Sequence, residues 1–209
     1  MSLIAENTGF YYQPRNWLFY NVNFELRREE VVGISGYSGC GKSTFAKVMA
    51  HYLVPVTGRI TVDGRPFVNG RCQPVQMIYQ HPERALNPKW RMYRSLTESY
   101  CPDQNMLDRF GIRKEWYRRY PIEISGGEMQ RFCIVRALGP HTRYLIADEI
   151  TTMLDAVTQA KIWRELTHIC RERNIGLMII SHETELLAKL CDRVLSIQEM
   201  QRRSPSGGR

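Results

Sequence analysis

The stretch Gly36-Tyr37-Ser38-Gly39-Cys40-Gly41-Lys42-Ser43-Thr44 fits the pattern G-x-x-x-x-G-K-[ST] and constrains this chain more than any other segment. It has the right neighbours. Val31–Ser35 reads as a short buried strand, and Phe45, Val48, Met49 and Tyr52 recur at helical spacing after it. Each residue type has a physical task there. The glycines let the backbone turn and approach a phosphate with no Cβ in the way. The turn directs successive N–H groups inward, and the helix that follows adds the positive end of its dipole. Lys42 offers a point charge for β- and γ-phosphates, and the Ser43 hydroxyl is a hard oxygen suited to Mg²⁺. A glycine-rich turn that binds nothing is the bland alternative, and the strand–loop–helix context argues against it.

At 209 residues the chain accommodates one sizeable domain with a small inserted lobe. Its apolar and charged fractions, 43% and 24%, are ordinary for a globular protein. No apolar run approaches the roughly 20 residues that span a bilayer, and Met1–Glu6 has no secretory-signal pattern. Cys40, Cys72, Cys101, Cys133, Cys170 and Cys191 are dispersed without zinc spacing, which predicts reduced thiols. Cys40 stands apart, because a helix N-terminus favours a thiolate. The net charge of +8 is concentrated in part around Arg109, Arg113, Lys114, Arg118 and Arg119, interleaved with Trp116, Tyr117 and Tyr120. Such a mixture can mark a nucleic-acid surface, a solvated helix face or an anionic partner. No nucleic-acid module accompanies it, so no nucleic-acid partner is expected.

Along the chain, residues 3–26 read as β-rich, and Thr57–Gly64 as turn, strand, turn. The loop's helix should end before Pro55. Val75–Tyr79, Tyr144–Ala147 and Gly176–Ile180 read as buried strands, and Arg193–Ile197 as an edge strand. Helices are predicted from near Gly127 to Gly139, and after an N-cap at Asp155. From about Pro88 to Tyr120, Trp90, Tyr93, Leu96, Leu107, Phe110 and Trp116 recur at helical spacing, which predicts an inserted helical lobe. Residues 1–200 then form a single α/β domain with a largely parallel sheet, and 201–209 a disordered tail.

In open α/β sheets ligands collect at the carboxyl ends of the strands. Four predicted strands end there in polar residues: Ser35 into the loop, Tyr79 into Gln80, Ala147 into Asp148-Glu149, and Ile180 into Ser181-His182. Asp148 suits a Mg²⁺ shell. Glu149, ionised at neutral pH, can polarise a water. Gln80 can bond that water or the metal shell, and His182 can reach a γ-phosphate. An aromatic within residues 3–26 could stack on a nucleobase, although strand aromatics are more often core. Ser125-Gly126-Gly127 before a helix is an N-cap, and also a second anion-binding helix N-terminus. One chain already has its phosphate loop, so a second chain could present this turn to it.

With these residues in place the chain resembles the ATP-binding cassette (ABC) ATPases from about Leu3 to Ile197. Ile124–Glu128 looks like the L-S-G-G-Q signature, Gln80 like the Q-loop, and Tyr144–Glu149 like the Walker B strand. Met153-Leu154-Asp155 looks like the D-loop, and His182 like the switch histidine. The resemblance implies a P-loop NTPase core with a mostly parallel sheet, an N-terminal antiparallel β-subdomain and a small α-helical subdomain at about 88–125. It implies catalytic roles for Glu149, His182, Lys42 and Gln80, and Mg²⁺ on Ser43, Gln80 and Asp148. ATP would contact Gly36, Ser38, Gly39, Cys40, Gly41, Lys42, Ser43 and Thr44, and its base would stack on Tyr12, with Tyr11 as the alternative. Ser125, Gly126, Gly127, Glu128 and Asp155 would complete the site of a second cassette in a head-to-tail dimer.

Val75–Pro82 with Leu86-Asn87-Pro88, and Leu154–Ala160, resemble the peptide and nickel importer branch. That implies a subunit energising uptake at the cytoplasmic face of the inner membrane. Its partners would be transmembrane permease subunits and, indirectly, a solute-binding protein. The chain departs from the family pattern at Ile150 (usually proline), Met153 (usually small), Glu128 (commonly glutamine) and His81 (commonly aspartate). Two other readings compete. A non-transport cassette protein usually carries two cassettes or a long coiled coil, and neither is seen. A P-loop small-molecule kinase leaves Ser125–Gln130 and His182 without a task.

Overall fold

The computed structural model describes residues 1–67 and 73–202. The expectations for Cys72 and for residues 203–209 lie outside these residues. Two sheets organise the rest. Strands β1 (Ser2–Phe10), β2 (Phe19–Arg27), β4 (Thr57–Val62) and β5 (Arg65–Pro66) form an antiparallel sheet in the order β2-β1-β4-β5. Strands β3 (Val31–Ser35), β6 (Val75–Ile78), β7 (Tyr144–Asp148), β8 (Gly176–Ile180) and β9 (Arg193–Ser196) form a parallel sheet in the order β6-β7-β8-β3-β9.

The parallel strands are short apolar runs because both of their faces are covered. Tyr144, Ile146, Met178, Ile180, Val32 and Ile34 point into one core, shared with the antiparallel sheet and with helix α1 (Lys42–Met49). Leu145, Ala147, Leu177, Ile179 and Val31 point into the other. That second core is closed by α4 (Gly126–Ala137), α5 (Ala156–Glu172) and the lobe that contains α2 (Met92–Leu96) and α3 (Gln104–Arg109). The register is tight. Asp148 pairs with Ile180, Ile34 also pairs with Ile180, and Ser35 pairs with Ser196, so the strands end at one level.

The lobe is helical, as its periodicity predicts, but built from short pieces: α2, α3 and 3-10 turns at Lys114–Arg118 and Pro121–Glu123. Arg109, counted in the basic stretch, is mostly withdrawn from solvent. It binds Glu165 at 3.0 Å and Glu172 at 2.9 Å, tying the lobe to α5. The described cysteines, Cys40, Cys101, Cys133, Cys170 and Cys191, are all free thiols. Burial pushes Cys133 up to about 11, and Cys170 and Cys191 up to about 12, so these three are protonated and inert near neutral pH.

Two boundaries differ from the sequence reading. Helix α1 ends at Met49, short of the expected face residue Tyr52. His51 adopts φ 61°, and the N–H groups of Tyr52 and His51 close on Lys47 O (2.8 Å) and Val48 O (3.0 Å), a Schellman stop without glycine. The edge strand stops at Ser196, and a last described helix (Ile197–Arg202) takes in Gln201 and Arg202 of the expected disordered tail. Ser196 N–H donates to Glu199 (2.9 Å) and Glu199 N–H donates to Ser196 Oγ (3.2 Å), a capping box written in the sequence as S-x-x-E.

Asp63 fastens the two sheets together. Its carboxylate accepts from Tyr144 Oη at 2.7 Å, Arg143 Nη1 at 2.9 Å and Arg28 Nη2 at 3.0 Å. Burial raises its pKa, but the bonds from Tyr144, Arg28 and Arg143 outweigh burial and hold the carboxyl below its ordinary value. A lowered folded pKa means stability that is present above the unfolded value of about 4 and lost as pH falls through the folded one. Asp63→Asn should therefore cost about 2 kcal/mol at neutral pH. The gap to wild type should narrow as pH drops below about 4, measured by urea unfolding across that range. A pH-independent gap would contradict the charge network.

Candidate active site

The phosphate loop leaves β3 and enters α1 with Gly41 at φ 97°. A Cβ there would stand 2.9 Å from Leu18 Cγ, so the position has neither the backbone nor the room for a side chain. Lys42 is 6% exposed, and its Nζ donates to Gly36 O (2.8 Å) and Tyr37 O (3.0 Å). An ammonium carries three donors, so one remains for a ligand. Ser38, Gly39, Gly41, Lys42, Ser43 and Thr44 line an open cleft of about 480 Å³. Gly36 and Cys40 do not line it. The Cys40 thiol is buried and sits 2.8 Å from where a Gly36 Cβ would be, so those two residues shape the loop from behind.

Tyr12 and Tyr11 separate cleanly. Tyr12, 63% exposed, lines the cleft; its ring packs edge-on against Phe10, and its hydroxyl is 3.2 Å from Thr44 Oγ1. Tyr11 turns to Trp17, with ring centroids 4.8 Å apart. Leu18, which no motif singles out, joins Tyr12 in the cleft wall.

At the other end of the cleft the strand ends converge. Ser43 Oγ donates to Asp148 Oδ1 at 3.1 Å. Asp148 is 5% exposed; burial raises its pKa, the Ser43 bond lowers it, and the neighbouring Glu149 charge raises it. Gln80 Nε2 donates to Glu149 Oε2 at 2.9 Å, and His182 Nδ1 lies 3.5 Å from Glu149 Oε1. The Glu149 backbone is left-handed, φ 49°, while its N–H still donates to Ile180 O at 3.0 Å. A non-glycine residue held in that region is strained, and here it aims the carboxylate off the strand end into the cleft. Ile150, where the family commonly has proline, is buried in the core beneath this turn. The turn is braced by Trp163 Nε1, which donates to the buried Thr151 Oγ1 at 3.1 Å.

The remaining residues lie elsewhere. Ser125, Gly126, Gly127, Glu128, Asp155, Met153 and Leu154 line a separate cleft. Ser125 caps α4 and Asp155 caps α5, accepting from Thr158 N–H at 3.0 Å. A Cβ on Gly127 would stand 2.6 Å from Leu154 Cδ2, so a side chain there would have to displace Leu154. One chain thus presents two separate clefts. Gln130, 2% exposed, connects them: its Nε2 donates to Tyr79 O at 3.1 Å, next to Gln80. Nothing in the local sequence marks it, because a glutamine in a helix is ordinarily solvent-facing.

Comparisons with known proteins agree with this geometry. The family model described as ABC transporter matches residues 19–152. The nickel import system ATP-binding protein NikE of Staphylococcus aureus is 31% identical over 207 residues, 93% of this chain and 85% of the relative. The structure of cbiO1 from Clostridium perfringens, part of the ABC transporter complex cbiONQ, superposes with a TM-score of 0.76. It is 25% identical, over 93% of this chain and 83% of that one. The dimeric post-hydrolysis structure of the ATP-binding cassette MJ0796 with ADP and Pi shares the fold, with a TM-score of 0.79 and 22% identity over 93% of each chain. Phosphate loop, converging strand ends and family match together make this chain a member of the ABC transporter family, an ATP-binding and ATP-hydrolysing subunit.

Proposed function

We propose that this chain energises uptake of a nickel-type or peptide-type solute, working as half of a head-to-tail pair of cassettes attached to membrane-spanning permease subunits. The observation that carries the pairing is the division of the machinery between two clefts of one chain. A second cassette would bring its Ser125–Glu128 turn and Asp155 to the ATP held at Lys42. The import assignment rests on the NikE relative and on the peptide and nickel branch motifs at Val75–Pro82, Leu86–Pro88 and Leu154–Ala160. Among the described residues no helix is long and apolar enough to cross a membrane, so the pathway itself would be built by the partners.

Within the cleft each group has a derivable task. Tyr12 offers a ring face to the base. The loop amides and Lys42 hold the phosphates. Ser43 Oγ and Asp148 Oδ1, 3.1 Å apart, and the side-chain oxygen of Gln80 make a hard-oxygen set that fits Mg²⁺. When bound, that ion neutralises charge on the β- and γ-phosphate oxygens. Glu149 is pinned by Gln80 on one oxygen and flanked by His182 on the other. A carboxylate keeps further lone pairs, which can orient the attacking water and draw its proton. His182, beside Glu149, reaches for the γ-phosphate.

Glu149→Gln should leave ATP binding intact and lower turnover by roughly 10²–10⁴, the usual contribution of a general base. Wild-type turnover in that variant would remove Glu149 from the role. Tyr12→Ala should weaken ATP binding by about 1 kcal/mol, the scale of an aromatic contact, while Tyr11→Ala leaves affinity unchanged. Calorimetric titration checks both, and the reverse pattern would exchange the two tyrosines.

A further inference from the structure

The signature turn already contains an anion. Ser125 N–H donates to Glu128 Oε2 at 2.8 Å, and Glu128 N–H donates back to Ser125 Oγ at 3.3 Å. Glu128 is the third residue of α4, so its carboxylate sits at the positive end of the helix dipole. Among the described residues it forms no ion pair. Arg131, one turn on, gives its guanidinium to Phe110 O at 2.8 Å, and Arg113 in the same cleft pairs with Glu115 at 3.5 Å. The turn is also backed by packing. A Cβ on Gly126 would meet Met153 Sδ at 3.1 Å, and one on Gly127 would meet Leu154 at 2.6 Å.

We propose that Glu128 is a resident anion of this turn that opposes the γ-phosphate arriving on the other cassette, and so sets how much ATP is needed to close the pair. The proposal rests on the composite-site reading above. The amides of Gly126 and Gly127 have no intrahelical acceptor and favour an incoming phosphate. The Ser125 hydroxyl accepts from Glu128 N–H but keeps its own proton to donate. Against them stands an unneutralised carboxylate on the same turn, a like charge whose repulsion grows as closure removes water. Glutamine in its place can still accept the Ser125 N–H through its amide oxygen, as a neutral and weaker acceptor. The turn would keep its shape and lose only the charge.

The test uses the full chain with Glu149→Gln in the background, so that bound ATP persists. ATP-driven association is followed by sedimentation velocity, with the cassette that co-purifies with the chain added if there is one. Three forms are compared: Glu128, Glu128→Gln and Glu128→Ala. Glu128→Gln should lower the ATP concentration at half-association by roughly fivefold, the scale of one charge at a helix N-terminus. Moving from about 50 to about 500 mM NaCl should narrow that difference by screening. Glu128→Ala, which loses charge and cap together, should still associate more readily than wild type. Glu128→Gln equal to or weaker than wild type overturns the proposal, as does Glu128→Ala weakened with Glu128→Gln unchanged, which assigns Glu128 to capping alone. If all three forms bind ATP and none associates, the composite-site reading fails instead, and takes this one with it.

Discussion

Asp148 and Ser43 are 105 residues apart in the chain and 3.1 Å apart in space. That contact depends on the register of the parallel sheet. Asp148 lies level with Ile180, and Ile34 with the same residue, so β7, β8 and β3 deliver their carboxyl ends to one plane. Everything chemical follows from this alignment. The loop after β3 turns into α1 and places Ser43; the strand end of β7 places Asp148 and Glu149; the strand ends of β6 and β8 place Gln80 and His182. A slip of one residue in any of these strands would reverse its inward and outward faces, exposing Leu145 and Ala147 or Tyr144 and Ile146 to the wrong core. The two buried faces of the sheet therefore hold the register far more firmly than the site could hold itself.

Polar groups in the cleft are accommodated by one another. Lys42 is buried against loop carbonyls, Asp148 against the Ser43 hydroxyl, and Glu149 against Gln80. Such mutual satisfaction keeps the site ordered without ligand and leaves acceptors and donors to spare. The left-handed Glu149 gives up backbone comfort at the mouth of the cleft, and the Thr151–Trp163 bond with buried Ile150 braces it. The second cleft follows a different rule. Its Ser125 and Asp155 are helix caps, and their first duty in the isolated chain is to α4 and α5.

The fold was readable where the chain states it locally. Apolar runs at Tyr144–Ala147 and Gly176–Ile180 announce doubly buried strands, and Gly36–Thr44 announces its strand–loop–helix setting. The site's cast, from Gln80 to His182, follows from strand ends alone. What remained hidden depends on partners distant in sequence. Leu18 reaches the cleft because β2 lies beside the loop. Gln130 is buried where its Nε2 donates to Tyr79 O, 51 residues earlier in the chain. His51 ends α1 without the usual glycine, and Arg109 pairs with glutamates 56 and 63 residues onward. The S-x-x-E box at Ser196 was legible but competed with a convincing edge strand beside it.

The central claim is that a complete site takes its phosphate loop from one cassette and its signature turn from another. Mixing two disabled copies tests it most directly. A Lys42→Ala chain keeps a sound signature turn, and a Ser125→Arg chain keeps a sound phosphate loop. ATP hydrolysis is measured for each alone and for the mixture. The account predicts that the mixture regains turnover that neither copy shows alone, since a mixed pair joins the intact loop to the intact turn. A mixture as inactive as its components, with both chains folded and the Ser125→Arg chain still binding ATP, would contradict it.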